Sequence, residues 1–231
     1  MRTIAIANAS GSAGKTTTAV SIAALLGEQG RRVLVIDLDA QANAGTALGI
    51  VGPPTITAVL DQAARLGDII QTAATAGVQV APSDRALDAT AARLQTTVGG
   101  EQRLRLALRD VHDVDVVLID CPGALGILTA AAVIASDSCI TVTQPSAKEL
   151  EGIPELLGFV DQIADAYGRD VRVDAIVPCQ VPRGRVGYAQ EGTAALDEYW
   201  PSLITPPVRT AAVVRDAYSR GVPLPVYAPS H

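Results

Sequence analysis

The chain has few aromatic residues and almost no lysine. Phe, Trp and Tyr together make up 3% of the 231 residues, and Lys15 and Lys148 are the two lysines, so arginine supplies nearly all the positive charge. Because the net charge is −6, the chain is not expected to coat nucleic acid with its whole surface. The shortage of rings also disfavours base stacking. Any contact with DNA is therefore expected to be local and directed at phosphates.

Cysteine is also scarce. Cys121, Cys139 and Cys179 are odd in number, lie far apart and include no Cys-x-x-Cys pair. This spacing argues against a disulfide framework and against a zinc site. All three cysteines are instead predicted to be buried as small apolar side chains.

No hydrophobic run approaches the roughly 20 residues that are needed to span a bilayer. The first residues, Met1-Arg2-Thr3-Ile4, enter a predicted strand at once, which leaves no room for a signal peptide. We therefore expect a cytoplasmic protein. The length suits one medium-sized α/β domain over residues 1–231.

Apolar strands alternate with helical segments along the chain. Besides the first strand around Ile4, strands are predicted at residues 33–37, 78–81, 114–120, 138–143, 171–177 and 203–204. Helices are predicted at residues 86–95, 101–109, 148–167 and 187–198, and the proline-rich end from Pro223 is predicted to be a loop. This alternation predicts the α/β class, with a doubly wound, mostly parallel sheet and helices on both faces.

The segment from Ile4 to Thr18 runs from an apolar strand through a Gly/Ser loop into Gly14-Lys15-Thr16 and a helix. This order is typical of a phosphate-binding loop, although Ala9 stands where the strict pattern has Gly. Backbone N–H groups of such a loop cradle a triphosphate, Lys15 neutralises the β- and γ-phosphates, and Thr16 places its hydroxyl on Mg²⁺. The predicted nucleotide-binding residues are Gly11, Ser12, Ala13, Gly14, Lys15, Thr16 and Thr17.

Three aspartates follow predicted strands. Asp120 closes an apolar strand, where ligands bind in open α/β sheets, and is predicted to hold the water shell of Mg²⁺. Asp37 and Asp39 end the strand next to the phosphate-binding loop. We expect Asp39 to orient or activate the attacking water and Asp37 to assist near the metal. The alternative for all three is an ordinary cap or a solvated turn.

Together these segments resemble the ParA/MinD group of deviant Walker P-loop ATPases. The resemblance rests on residues 11–17, 37–43 and 117–122, with later blocks at 144–146, 150–152, 204–209 and 221–224. It implies ATP and Mg²⁺ as cofactors, and a dimer that forms with ATP. It also implies nucleoid association through DNA bound without sequence preference, and a ParB-like or cargo-adaptor protein that stimulates hydrolysis. By the same resemblance, residues 178–181 and Pro206, Pro207 and Val208 flank the adenine.

The chain departs from that group in its loop. Ser10 stands where the family has a lysine that reaches the partner's phosphates, and Ser12 replaces a glycine. Repulsion between two bound triphosphates then lacks its usual compensating charge. We hypothesise that Lys148 supplies this charge and so acts in catalysis, as in similar ATPases that position protein cargo. The alternative is an exposed lysine near Glu149 and Glu151.

Four functions are compatible with these residues. The first is a DNA-partition ATPase, in which late arginines (residues 183, 185, 209, 215 and 220) contact DNA phosphates. The second is a ParA-like ATPase that positions a protein cargo of the carboxysome type on the nucleoid. The third, a MinD-like membrane switch, is disfavoured because three prolines interrupt the end of the chain. The fourth is an ATP-dependent metabolic enzyme, which would need a substrate pocket.

Overall fold

A seven-stranded sheet forms the centre of the molecule. The computed structural model describes residues 1–11, 13–184 and 186–230. The strands are β1 (Arg2–Ala7), β2 (Val33–Asp37), β3 (Gln71–Thr72), β4 (Val78–Ala81), β5 (Val116–Asp120), β6 (Ser138–Thr143) and β7 (Val173–Pro178). Their order is β3-β4-β2-β5-β1-β6-β7, and β3 alone runs antiparallel to its neighbour. This topology confirms the predicted fold class.

Helices connect the strands and cover the sheet. They are α1 (Lys15–Glu28), α2 (Asn43–Ala47), α3 (Ile56–Leu60), α4 (Leu66–Ile69), α5 (Leu87–Gln95), α6 (Arg103–Ala107), α7 (Ile127–Ala135), α8 (Ala147–Tyr167), α9 (Gly187–Tyr199), α10 (Val213–Ser219) and α11 (Leu224–Tyr227). Short 3-10 turns at Gly100–Gln102 and Leu108–Asp110 flank α6.

Each inner strand is buried on both faces. In β2, Leu34 and Ile36 join the core under α3, α5, α7 and α8, whereas Val33 and Val35 join the core under α1 and α2. Because successive side chains of a strand point to opposite faces, one apolar run feeds two cores. This burial explains why β2 and β5 are continuous apolar runs that end in a single aspartate.

Most predicted elements match the structure, and several predictions were wrong in detail. The segment 203–204 forms only a bridge between Ile204 and Ile176. The basic helix predicted at 101–109 is broken by 3-10 turns, so that α6 keeps five residues. The C-terminal segment, predicted to be a loop, contains α11. Pro223 and Pro225 are compatible with this helix because the first turn needs no N–H donors.

Two further findings concern the predicted exclusions. The three cysteines are free and buried, as predicted. Within the described ranges, no helix combines the length and the apolar character that a membrane crossing requires.

Candidate nucleotide and magnesium site

The predicted site residues meet where β1, β2 and β5 end. In the register of the sheet, Asp37 of β2 lies opposite Asp120 of β5, and Ile6 of β1 pairs with Asp120 from the other side. The Leu38 N–H donates to the Asp120 carbonyl at 2.9 Å, which ties the two aspartate-bearing strand ends together. The loop that follows β1 therefore begins next to Asp120.

The phosphate-binding loop is held closely against its surroundings. Gly14 caps α1 with a φ of 109°, a backbone conformation that favours glycine. A Cβ at Gly14 would lie 3.5 Å from the Cβ of Cys179, and a Cβ at Gly123 would lie 3.1 Å from the Cα of Gly11. Ala13 is buried beneath the loop, and Ser12 lies outside the described residues.

Lys15 begins α1 and turns back beneath the loop. It is 7% exposed, and its ammonium donates to the Asn8 side-chain oxygen and, at 3.0 Å, to the Ser10 carbonyl. Burial lowers the pKa of Lys15, and the nearby charge of Asp120 opposes this effect. Asn8, which also donates to the Val142 carbonyl at 3.1 Å, was missed in the sequence because an asparagine inside the loop carries no signal of its own.

Asp120 is a buried carboxylate without a good partner. It is fully buried, and neither carboxylate oxygen has a hydrogen bond of good geometry within the described part of the chain. Its pKa is raised well above the usual value, first by burial and then by Asp37, while the Thr16 hydroxyl and Lys15 pull it down. Buried charges are normally paired or bound to a metal, so these oxygens fit the water shell of Mg²⁺.

Asp37 contrasts with Asp120 because backbone groups surround its carboxylate. It accepts hydrogen bonds from the N–H groups of Asp39 (3.1 Å), Ala44 (2.9 Å) and Gly45 (3.2 Å). Burial nevertheless raises the pKa of Asp37 to about 6. The carboxylate thus anchors the turn after β2, and its predicted role near the metal stays a prediction.

Asp39 lies on that turn and lines the candidate pocket. Its side chain is half-buried and accepts a hydrogen bond from the Gln41 N–H at 2.9 Å. The pocket has a volume of about 500 Å³. Its lining comprises Gly11, Gly14, Lys15, Thr16, Thr17, Asp39, Gln41, Asn43, Gly123, Gln180 and Tyr218. Five of the seven predicted loop residues are therefore brought together with Asp39 around one cavity.

Of the residues predicted to flank the adenine, Gln180 lines this pocket, whereas Pro206, Pro207 and Val208 do not. Pro206, Pro207 and Val208 are exposed, and the Val208 N–H donates to the Pro178 carbonyl at 2.8 Å. This bond places their segment next to the end of β7. Contact with adenine remains a prediction for these three residues.

Lys148 is exposed in the first turn of α8, and that turn touches the loop. The Ser10 hydroxyl donates to the carboxylate of Glu149. A Cβ at Gly152 would lie 3.1 Å from the Cβ of Ala9, so α8 approaches the loop closely. Lys148 is therefore adjacent in sequence to the residue that contacts Ser10, where the family's lysine would stand.

The donor set suits a nucleotide-bound magnesium ion better than an ion held by protein alone. Across the described ranges, no group of three or more His, Cys, Asp or Glu side chains has the arrangement of a metal-binding cluster. Mg²⁺ typically takes one or two carboxylate contacts and completes its shell with water and phosphate oxygens. Asp120 and Thr16 fit that limited contribution. When bound, Mg²⁺ would neutralise charge on the β- and γ-phosphates.

A second cavity, of about 450 Å³, lies between α3, α4 and α6 and contains none of the predicted site residues. Two of its charged side chains, Arg65 and Asp68, pair with each other at 3.0 Å. Its Arg103 donates to the Leu60 carbonyl at 2.5 Å. These polar groups already have partners, so the cavity beside the phosphate-binding loop is the better candidate site.

Comparison with known sequences places this geometry in a family. A family model described as an AAA domain matches residues 1–173. The chain is 36% identical over 178 residues to the sporulation initiation inhibitor protein Soj of Bacillus subtilis, covering 75% of this chain and 70% of Soj. It is 34% identical over 181 residues to the chromosome partitioning protein ParA of Myxococcus xanthus, covering 76% and 64%.

Solved structures agree with the sequence relatives. Apo McdA of Cyanothece has a TM-score of 0.91 and 26% identity, covering 100% of this chain and 94% of McdA. Cobyrinic acid a,c-diamide synthase of Mycobacterium smegmatis with ADP and magnesium has a TM-score of 0.84, 28% identity and coverage of 95% and 91%. The septum site-determining protein MinD of Pyrococcus horikoshii with Mg-ADP has a TM-score of 0.80, 25% identity and coverage of 100% and 90%. The chain therefore belongs to the ParA/MinD family of P-loop ATPases, and its cofactors are ATP and Mg²⁺.

Proposed function

We propose that this ParA-like ATPase, as one domain over residues 1–231, is an ATP-gated switch in plasmid or chromosome partition. With ATP it forms a homodimer that binds double-stranded DNA without sequence preference and associates with the nucleoid. After hydrolysis it releases DNA. The observation that carries the proposal is the buried Asp120, which has no hydrogen bond of good geometry within the described residues, close to the charge of Lys15 in the phosphate-binding loop.

In this proposal each site residue has one task. The loop N–H groups and Lys15 hold the β- and γ-phosphates, while Thr16 and Asp120 orient the shell of Mg²⁺. Asp39 orients the attacking water, and Asp37 fixes the turn that carries Asp39. Since no covalent intermediate is needed, catalysis depends on position and charge.

Lys148 is proposed to serve the neighbouring protomer. Two triphosphates that face each other across a dimer repel strongly unless a cation lies between them. Ser10 cannot supply that cation, whereas Lys148 lies at the end of α8 that contacts Ser10 through Glu149. We expect an exposed lysine at this place to contact a partner's phosphates.

DNA contact is assigned to the late arginines. Arg183, Arg209, Arg215 and Arg220 are exposed, and none of the four forms an ion pair within the described parts of the chain. Arg185, the fifth predicted arginine, lies outside the described residues. Arginines without acidic partners can bind phosphate without first breaking a salt bridge. Such binding weakens steeply as the salt concentration rises.

The second candidate function is ATP-dependent positioning of a protein cargo of the carboxysome type, with an adaptor in place of a ParB-like partner. The presence of Ser10 in place of the family's lysine, together with Lys148 later in the chain, favours this function. The sequence resemblance links a lysine late in the chain to cargo-positioning ATPases. An ATP-dependent metabolic enzyme is less well supported. In the second cavity Arg65 pairs with Asp68, and Arg103 donates to the Leu60 carbonyl, so these charged groups are already engaged.

Retention on plain duplex DNA tests the proposal. The purified protein is compared with ATP, with ADP and without nucleotide at two salt concentrations, beside an Arg215→Ala/Arg220→Ala variant and an Arg65→Ala control from the second cavity. We expect binding only with ATP, weaker at high salt and weaker still in the double variant. Binding in no state would overturn the DNA switch and favour a protein-only switch or a metabolic enzyme.

A further inference from the structure

The C-terminal block α10–α11 is fixed against α1 and α2. Gly221, between the two helices, has a φ of 62°, and a Cβ there would lie 3.1 Å from the Gly49 Cα and 3.2 Å from the Thr46 carbonyl oxygen. Ala217 of α10 is also buried. Such a close backbone approach leaves α10 little freedom to slide along α2.

From this fixed helix, Tyr218 reaches the candidate pocket. Its hydroxyl donates to the side-chain oxygen of Asn43 at 2.7 Å, across 175 positions of sequence. Both residues line the cavity that also contains Asp39. Asn43 is the first residue of α2, so the hydrogen bond holds the end of the turn that carries Asp39.

That turn needs support from outside. Helix α2 has only five residues, which is too short to be stable alone, and Ala42 before it has a φ of 54°, which is unfavourable for an L residue. On the inner side, Asp37 accepts the N–H groups of Ala44 and Gly45. On the outer side, the hydrogen bond from the Tyr218 hydroxyl to Asn43 holds the same turn.

We propose that Tyr218 is a positioning residue for ATP hydrolysis, acting through Asn43 to hold the Asp39 turn in its reactive geometry. The inference rests on the proposed role of Asp39. A displacement of about 1 Å in a reacting group is enough to slow a reaction up to about 100-fold. Loss of this tie is therefore expected to lower kcat and to leave ATP affinity nearly unchanged.

Tyr218→Phe tests this directly, because it removes the hydroxyl and keeps the ring. The matched control is Tyr227→Phe in the same block, where the ring lies 5.4 Å from the guanidinium of Arg220. The measurements are kcat and KM for ATP, affinity for a non-hydrolysable ATP analogue, and Tm. We expect Tyr218→Phe to lower kcat about 3- to 30-fold with affinity within about twofold, and Tyr227→Phe to match the wild type.

A double-mutant cycle separates this role from a general structural one. Asn43→Ala is expected to lower kcat as much as Tyr218→Phe, and the double variant is expected to be no worse than either single variant.

Three results would contradict the inference. Wild-type kcat in Tyr218→Phe would overturn it, and so would a change confined to ATP affinity, which would make Tyr218 a nucleotide contact. Additive losses in the double variant would show that Tyr218 and Asn43 act separately. If the wild type hydrolyses no ATP, the proposed function fails and this inference fails with it, an outcome distinct from an active wild type that Tyr218→Phe leaves unchanged.

Discussion

The two edges of the central sheet hold carboxylates in opposite states. At the amino edge, where β2 and β5 begin, Arg32 donates to Asp115 at 2.9 Å and to Asp113 at 3.1 Å, in contact with solvent. At the carboxyl edge, where the same two strands end, Asp37 and Asp120 lie opposite each other in the interior. The same two strands therefore have ion-paired residues where they begin and two neighbouring acids where they end.

The pKa directions follow this difference. The hydrogen bond from Arg32 lowers the pKa of Asp115 to about 2. Burial, reinforced by Asp37, raises the pKa of Asp120 well above its usual value. An ion pair that lowers the pKa of an acid contributes to the stability of the fold, whereas a buried acid with a raised pKa gains when a cation binds beside it.

The largest expected effect comes from Asp120→Asn. Removal of the charge that faces the magnesium position is expected to lower ATP hydrolysis by about 100-fold or more. Because the charge is buried without a good partner, the same change is expected to raise the nucleotide-free Tm by about 2–5 °C. Hydrolysis assays and thermal melts measure both, with Asp115→Asn from the amino edge as control. A lower Tm in Asp120→Asn would break the contrast between the two edges.

A second prediction concerns the positive charge that the phosphate-binding loop lacks at position 10. Lys148→Ala is expected to weaken ATP-dependent dimerisation by about tenfold, because two triphosphates would face each other without a compensating cation. Sedimentation or light scattering with ATP measures the dimer, and Lys148→Arg, which keeps the charge, is expected to retain most of it. An unchanged dimer in Lys148→Ala would show that Lys148 does not replace the lysine that is absent at position 10.

A third, smaller effect is the pH dependence at Asp37. Its pKa is about 6 in the folded chain and near 3.8 when unfolded, so the folded state binds the extra proton between these values. The stability that this proton supplies is lost as pH rises through 6. Without nucleotide, the wild type is therefore expected to gain Tm relative to Asp37→Asn between pH 7 and pH 5. A constant difference over this range would contradict the raised pKa.

The smallest effect is expected at the amino edge. Asp115→Asn is expected to lower Tm by about 1–2 °C at pH 7, because exposed ion pairs contribute little, and to leave hydrolysis unchanged. The pKa of Asp115 is lowered, so its contribution is present above about pH 4 and is lost as pH falls towards 2. The Tm values of variant and wild type should therefore converge in acid. A loss of ATP hydrolysis in Asp115→Asn would contradict this prediction, because it would show that the amino edge affects the site at the carboxyl edge.

Local sequence signals predicted the features that depend on neighbouring residues. The alternation of apolar strands with helices predicted the fold class. The positions of Asp37 and Asp120 at the ends of predicted strands correctly placed both at one edge of the sheet. Helix α7 (Ile127–Ala135) was missed because its residues are apolar all round and show no helical period. Asn8 and Tyr218 were missed because their importance comes from contacts across 134 and 175 positions. Such contacts follow from tertiary packing and leave no pattern in nearby sequence.

Cys179 lies next to Gly14 of the phosphate-binding loop, so its thiol can report the opening of that loop. The thiol is 4% exposed and its pKa is raised by burial, so it should react with an alkylating reagent only while the loop is lifted. Cys121 and Cys139 lie deeper and should stay silent on the same timescale. The labelling rate of a single native thiol would then read how often the loop opens, and a bound nucleotide should slow that rate.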